Sequence, residues 1–238
     1  ITISCCEGDI GFIYEDWLDI ETHNITKQEY SSKKNINIML NIGNPSLAFQ
    51  FAKLPNDGVG LARIEFIINN HIGIHPLAIS NFQNIEKDIQ KEIIKKSIGY
   101  TNPQHFFISK LAEGIATIAA AFFPKKVIIR LSDFKTNEYR NLLGGNEFET
   151  IEENPMIGFR GASRYLCPNF LPAFKMELEA IKKVIYDMQL NNIALLVPFV
   201  RTITEASDVI RLLEHEGIKS NEFLKIYMMC EIPSNALL

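Results

Sequence analysis

The chain has 238 residues, a hydrophobic fraction of 47% and a formal net charge of −4. That length can bury one barrel-sized core, and the composition is ordinary for a globular domain. The mildly acidic balance, with no basic tract, argues against a nucleic-acid partner, and the apolar stretches read as too short or too interrupted to span a bilayer.

Residues 1–17 read as two short strands around a turn at 7–11, expected to be the tail of a preceding domain that ends near residue 20. Residues 21–37 are polar, with Ser31-Ser32 and Lys33-Lys34 and no apolar period, as in a linker. A barrel domain is expected over 38–238. Its first strand is placed at 38–40, and Asn44-Pro45 then caps a helix with Leu47, Ala48 and Phe51 on its apolar face. The turn Asn56-Asp57-Gly58 leads to a second strand that ends at Arg63.

A helical insertion follows. Asn84 is read as the cap of a helix bearing Ile85, Ile89 and Ile93, and Asn102-Pro103 starts another with Phe107, Leu111, Ile115, Ile118 and Phe122 on one face. Two helices between successive strands suggest an extra lobe or an oligomer contact, which leaves a homodimer open. The third strand is placed at 127–131, followed by a long polar loop with a turn at Gly144-Gly145. A fourth strand is placed at 156–159. Asn169 then opens a helix with Phe174, Leu178, Ile181, Ile185 and Met188 facing inward. The fifth strand is placed at 193–197, and Thr202-x-x-Glu205 reads as a capping box for a helix that Gly217 ends. The sixth strand, 226–230, is an unbroken apolar run expected to be buried on both faces, and it ends at Glu231 before Pro233.

The fold expected is therefore α/β: a (β/α)8 TIM-type barrel, truncated after about six strands, with a helical insertion after strand 2. Ile1 is not an initiator and Leu238 falls in the first turn of a helix, so the chain is read as an internal piece of a larger protein. No signal peptide is visible. Cys5, Cys6, Cys167 and Cys230 lack metal-ligand spacing and suit a reducing, cytoplasmic setting.

The chemistry lies at the strand ends. Apolar runs terminate in Arg63 (with Glu65 two residues on), Arg130 (with Asp133 close behind), Arg160, Arg201 and Glu231. Strand ends converging on several arginines and a carboxylate suit an anionic, phosphorylated ligand and a metal at the carboxylate. Any one of these residues alone is more simply a surface ion pair. Arg164 and Arg201 are read as structural, Asp133 as either a support for a site arginine or a loop cap, and Cys230 as an inert core residue. His71 and His75 are read as structural.

The blocks GVGLARIEFIIN (58–69), RLSDFKTNEYRNLLGG (130–145), ENPMIGFRGASRY (153–165), VPFVRT (197–202) and MMCEIPSNALL (228–238) closely resemble the C-terminal phosphoenolpyruvate-binding barrel of the phosphoenolpyruvate synthase family. The block ITISCCEGDIGFIYE (1–15) resembles the end of that family's swivelling phosphohistidine domain. The wider group includes pyruvate phosphate dikinase and the first enzyme of the sugar phosphotransferase system.

The resemblance implies a pyruvate, water dikinase. ATP and water convert pyruvate to phosphoenolpyruvate, AMP and phosphate through a phosphohistidine located before Ile1. By motif it implies that Arg63, Arg130 and Arg160 bind substrate, and that Glu231 is a magnesium ligand bordering it. Mg²⁺ is the implied cofactor, pyruvate or phosphoenolpyruvate the ligand, and ATP would be bound by a domain outside the chain. The proton-donor cysteine and the second magnesium carboxylate would lie beyond Leu238, so the isolated chain is expected to be inactive. The alternatives are the dikinase, another phosphoenolpyruvate- or pyruvate-handling barrel such as a metal-dependent aldolase, and a non-catalytic anion-binding or dimerisation module.

Overall fold

The structure, a computed structural model, describes residues 1–4, 11–19, 36–152 and 156–238. Contacts divide the chain into two units, Ile1–Lys33 and Lys34–Leu238. In the first, β1 (Thr2–Ser4) and β2 (Phe12–Tyr14) pair antiparallel, with Ile3 opposite Ile13. These are the two strands expected from sequence. The turn between them and most of the expected linker lie outside the described residues.

The second unit is built on five parallel strands in sequential order: β3 (Leu40–Ile42), β4 (Val59–Arg63), β5 (Val127–Arg130), β6 (Ile193–Val197) and β7 (Ile226–Met228). Sequential parallel order with helical crossovers is the arrangement of a (β/α) barrel, here an open sheet of five strands. Val127, Ile129, Ile193, Ala194 and Leu195 are fully buried, as a strand covered on both faces requires. Arg63 of β4 stands in register with Arg130 of β5.

Two strand expectations are corrected. Residues 156–159 form no strand, and β5 pairs directly with β6. Gly158 and Gly161 have φ of +54° and +61°, which interrupts extended backbone, and Met156 and Ile157 point to solvent. The apolar run 226–230 is also not a buried strand. Among the described residues β7 pairs with β6 alone, and Tyr227 and Met228 are exposed.

The helices follow their local signals closely. After a 3-10 turn at Pro45–Leu47, where Asn44 Oδ1 accepts from the Ser46 N–H at 3.0 Å, comes α1 (Ala48–Phe51). Beyond short helical segments at Glu65–Ile67, Ile68–Ile72 and Pro76–Ser80 comes α2 (Lys87–Lys96), with Glu86 rather than Asn84 at its N-cap and Ile85 and Ile93 buried. The 20-residue α3 (Pro103–Phe122) is capped by Asn102 Oδ1, which accepts from the His105 N–H at 2.7 Å. Its Phe107, Leu111, Ile115, Ile118 and Phe122 are buried, so α3 is a core helix and not part of a separate lobe. By length and composition α3 is apolar enough to cross a membrane, which corrects the expectation drawn from sequence. Core packing accounts for that apolarity. It lies against α4 (Leu171–Lys182), which Phe170, not Asn169, begins and which leaves Met188 partly exposed beyond its end. In α5 (Ile203–His215), Thr202 Oγ1 accepts from the Glu205 N–H at 3.1 Å, but the Glu205 carboxylate takes the Arg201 N–H. Only half of the expected capping box forms.

Candidate active site

Of the strand ends expected to converge, those at Arg63 and Arg130 do, Arg160 joins them from a loop, and Arg201 and Glu231 lie outside the cleft. A cleft of about 380 Å³ at the C-terminal ends of β4 and β5 is lined by Arg63, Glu65, Asn69, Arg130, Asp133 and Arg160, with Phe66 and Phe134 as apolar walls. The volume lies within the range of small-molecule pockets. All three arginines assigned by resemblance therefore share one cavity.

Two carboxylates hold them there. Asp133 is buried and accepts from Arg160 bidentately, Nε to Oδ1 at 2.7 Å and Nη2 to Oδ2 at 2.7 Å. The same Oδ2 pairs with Arg130 Nη1 at 3.2 Å. Glu65 Oε1 accepts from Arg130 Nη2 at 3.0 Å and from the Asp133 N–H at 2.6 Å. Asp133 thus supports two site arginines and is more than a loop cap. Glu65 reaches the cleft because β4 runs straight into a helical turn at Glu65–Ile67. Burial raises the Glu65 carboxyl above its usual range, against the opposing pull of Arg130.

The network is incomplete. Glu65 Oε2 and Arg130 Nε are buried without hydrogen-bond partners, and Arg63 makes no hydrogen bond or ion pair with any described residue. Buried polar atoms left unpaired are rare because each costs the desolvation of the group. Three guanidinium groups lining one open cleft, the exposed Arg63 among them with no partner among the described residues, can hold a small polyanion with planar, bidentate hydrogen bonds.

Glu231 does not line this cleft. It is exposed at the end of β7, where its Oε1 accepts from the Phe199 N–H at 2.7 Å. Among the described residues no group of three or more His, Cys, Asp or Glu side chains converges as a metal site. As a lone hard-oxygen ligand Glu231 still fits Mg²⁺, which takes one or two carboxylates and completes its shell with water and substrate. Arg201 is structural, as expected: its guanidinium donates to the carbonyls of Gly158 (2.8 Å) and Phe199 (2.9 Å) and to Ser163 Oγ (3.0 Å).

A second ionic cluster lies apart from the cleft. Glu149 accepts from Arg164 Nη1 at 2.5 Å and Nη2 at 3.2 Å, and His75 Nε2 lies 3.0 Å from Glu149 Oε1. His75 Nδ1 accepts from the Leu77 N–H at 3.1 Å, so the ring is neutral with its proton on Nε2. Burial lowers the His75 pKa, although Glu149 pulls the other way. Burial would raise Glu149, but the hydrogen bonds from His75 and Arg164 prevail and lower it. One residue before Asp133, the Ser132 N–H donates at 2.9 Å to the buried Glu177, and burial pushes that carboxyl up to about 7. Sequence reading did not single out Glu149 or Glu177. Their partners lie 74, 15 and 45 residues away, and neither carboxylate sits at a strand end.

The family described as PEP-utilising enzyme, PEP-binding domain, matches residues 20–238. The chain belongs to that family. Over its whole length it is 54% identical to the phosphoenolpyruvate synthase of Pseudomonas aeruginosa, 51% to that of Escherichia coli and 47% to that of Helicobacter pylori. In each case the match covers 29% or 30% of the relative, so the chain spans less than a third of the curated proteins it resembles. In this chain the matched region is an α/β unit whose described part carries the arginine cleft beside the ends of β4 and β5.

Proposed function

We propose that the chain is the substrate-binding part of a phosphoenolpyruvate synthase. The reaction would use ATP and water to convert pyruvate to phosphoenolpyruvate, AMP and phosphate. The observation that carries this reading is the convergence of Arg63, Arg130 and Arg160 on one cleft, with Arg63 unpartnered among the described residues. Phosphoenolpyruvate carries a phosphate and a carboxylate, and arginine forks suit both. Asp133 and Glu65 hold Arg130 and Arg160 in fixed orientation before the ligand arrives, so less ordering is required on binding.

Glu231 would supply one ligand to Mg²⁺, which when bound provides Lewis-acid stabilisation of negative charge developing on the substrate's carbonyl oxygen. The chain's own residues bind and orient the anion. The phosphohistidine, the nucleotide site and the proton donor would be carried by parts of the protein outside these residues. A cytoplasmic setting belongs to the same reading and is supported by the free thiols of Cys167 and Cys230.

Calorimetric titration of phosphoenolpyruvate with Mg²⁺ into the chain tests this. Saturable binding is expected, weakened by Arg130→Ala and by Glu231→Ala. Loss of one such contact should cost roughly 2–4 kcal/mol, by analogy with removal of an oxyanion-hole donor. A folded chain that binds no phosphoenolpyruvate, or binds it equally well in both variants, would sink the proposal.

A further inference from the structure

Phe199 has a φ of +49°, a left-handed conformation that a bulky L-residue adopts only when its surroundings impose it. Those surroundings are specific. Its N–H donates to Glu231 Oε1 at 2.7 Å, and its carbonyl accepts from Arg201 Nη1 at 2.9 Å. Its ring lies under the Arg160 guanidinium, 4.2 Å from ring centroid to Cζ. Asp133 fixes Arg160 in the guanidinium plane, and Phe199 covers one face of that plane.

The backbones are tied as well. A Cβ on Gly161, directly after Arg160, would stand 2.5 Å from the Pro198 carbonyl oxygen and 2.8 Å from Phe199 Cβ. The Ala162 N–H donates to that same carbonyl at 3.1 Å. On the other side, Asn235 accepts from the N–H groups of Glu231 and Ile232 at 3.2 Å and donates to the Val200 carbonyl at 2.6 Å. The turn that carries Glu231 and the loop that carries Arg160 are therefore both fastened to residues 198–200.

We propose that Phe199 is a positioning residue that couples Glu231 to Arg160. A change at the carboxylate, whether a bound cation or a substitution, moves the Phe199 backbone and with it the ring that supports the arginine. The functional meaning of this coupling rests on the reading above, in which Arg160 holds the anion and Glu231 a Mg²⁺ that acts on it. The physical coupling does not.

The test uses the whole 238-residue chain and two readouts. The first needs no ligand: the Nε–H resonance of Arg160 in a ¹⁵N-labelled sample, assigned by its loss in Arg160→Lys. Glu231→Ala, a change at an exposed side chain, should shift this resonance although Glu231 does not touch Arg160. Phe199→Leu should remove the ring-current contribution, and Phe199→Tyr should restore it. The second readout is phosphoenolpyruvate affinity across the Glu231→Ala and Phe199→Leu cycle. The double variant should bind no more weakly than the weaker single, because both substitutions break one connection. An Arg160 resonance unmoved in a folded Glu231→Ala chain overturns the coupling, and so do losses of affinity that multiply. If the unaltered chain binds no phosphoenolpyruvate, the functional reading fails and the resonance still decides the coupling.

Discussion

Among the described residues two buried ionic clusters stand in this domain, and they differ in one respect. In the His75–Glu149–Arg164 cluster the groups are saturated: Glu149 takes three hydrogen bonds, and Arg164 spends Nε on the Phe159 carbonyl while Tyr139, Phe159 and Phe170 pack its faces. In the Glu65–Arg130–Asp133–Arg160 cluster two atoms are orphaned, and a free arginine stands beside them. A closed network serves only the fold. An open one carries unmet hydrogen-bonding capacity, and a ligand is what can meet it.

The largest expected effect is on the closed cluster. Arg164→Ala leaves Glu149 buried without its cation and should cost about 3–5 kcal/mol of stability, read as a lower urea midpoint. The comparison predicts that phosphoenolpyruvate affinity, measured where the variant is folded, does not change. If affinity falls along with stability, the clusters are not separable.

Glu177 gives the next effect, and it depends on pH. Its folded pKa of about 7 lies above that of an unfolded glutamate, so the folded state binds the extra proton between about 4.3 and 7. Stability from this group is present below that window and is lost as pH rises through it. Glu177→Gln should be near neutral at pH 5 and stabilising at pH 8, by up to about 3 kcal/mol, as seen in denaturant midpoints at the two pH values.

The closed cluster has the opposite sign. The His75 pKa is lowered, so below about pH 6.5 the unfolded state takes up a proton that the folded state refuses. Glu149, also lowered, loses its contribution as pH falls through the carboxylate range. The acid limb of the stability profile should therefore be flatter in His75→Gln than in the unaltered chain, and an unchanged limb would contradict the assignment of a neutral buried imidazole.

The smallest effect on stability belongs to Arg63. With no partner among the described residues and its side chain exposed, Arg63→Ala should change stability by no more than about 0.5 kcal/mol. It should still weaken phosphoenolpyruvate binding by about 1.5–3 kcal/mol, the range for a hydrogen bond to a charged group. Large destabilisation with intact binding would make Arg63 structural and collapse the contrast between the clusters.

How much of this was legible in the sequence depended on range. Caps at Asn44, Asn102 and Thr202 were readable because the cap and the N–H it serves lie within three residues. Arg63 and Arg130 were readable because each directly ends a buried apolar run. The stretch 156–159 misled because an apolar run looks the same whether a strand buries it or a loop exposes it, and the glycine torsions that decide the matter are not written in hydropathy. Glu149, Glu177 and Phe199 went unseen for a related reason. Their roles come from contacts across the fold, and a positive φ at a phenylalanine leaves no mark in its neighbours.

The pairing of Arg63 with Arg130 across adjacent strands has an evolutionary consequence. Side chains alternate between the faces of a strand, so deleting or inserting one residue within β4 or β5 would turn its arginine to the opposite face. Lineages of this domain should therefore exchange apolar side chains in these strands freely while conserving their length. Insertions and deletions should gather in the segments between strands, where a change in length leaves the spacing of the two guanidinium groups intact.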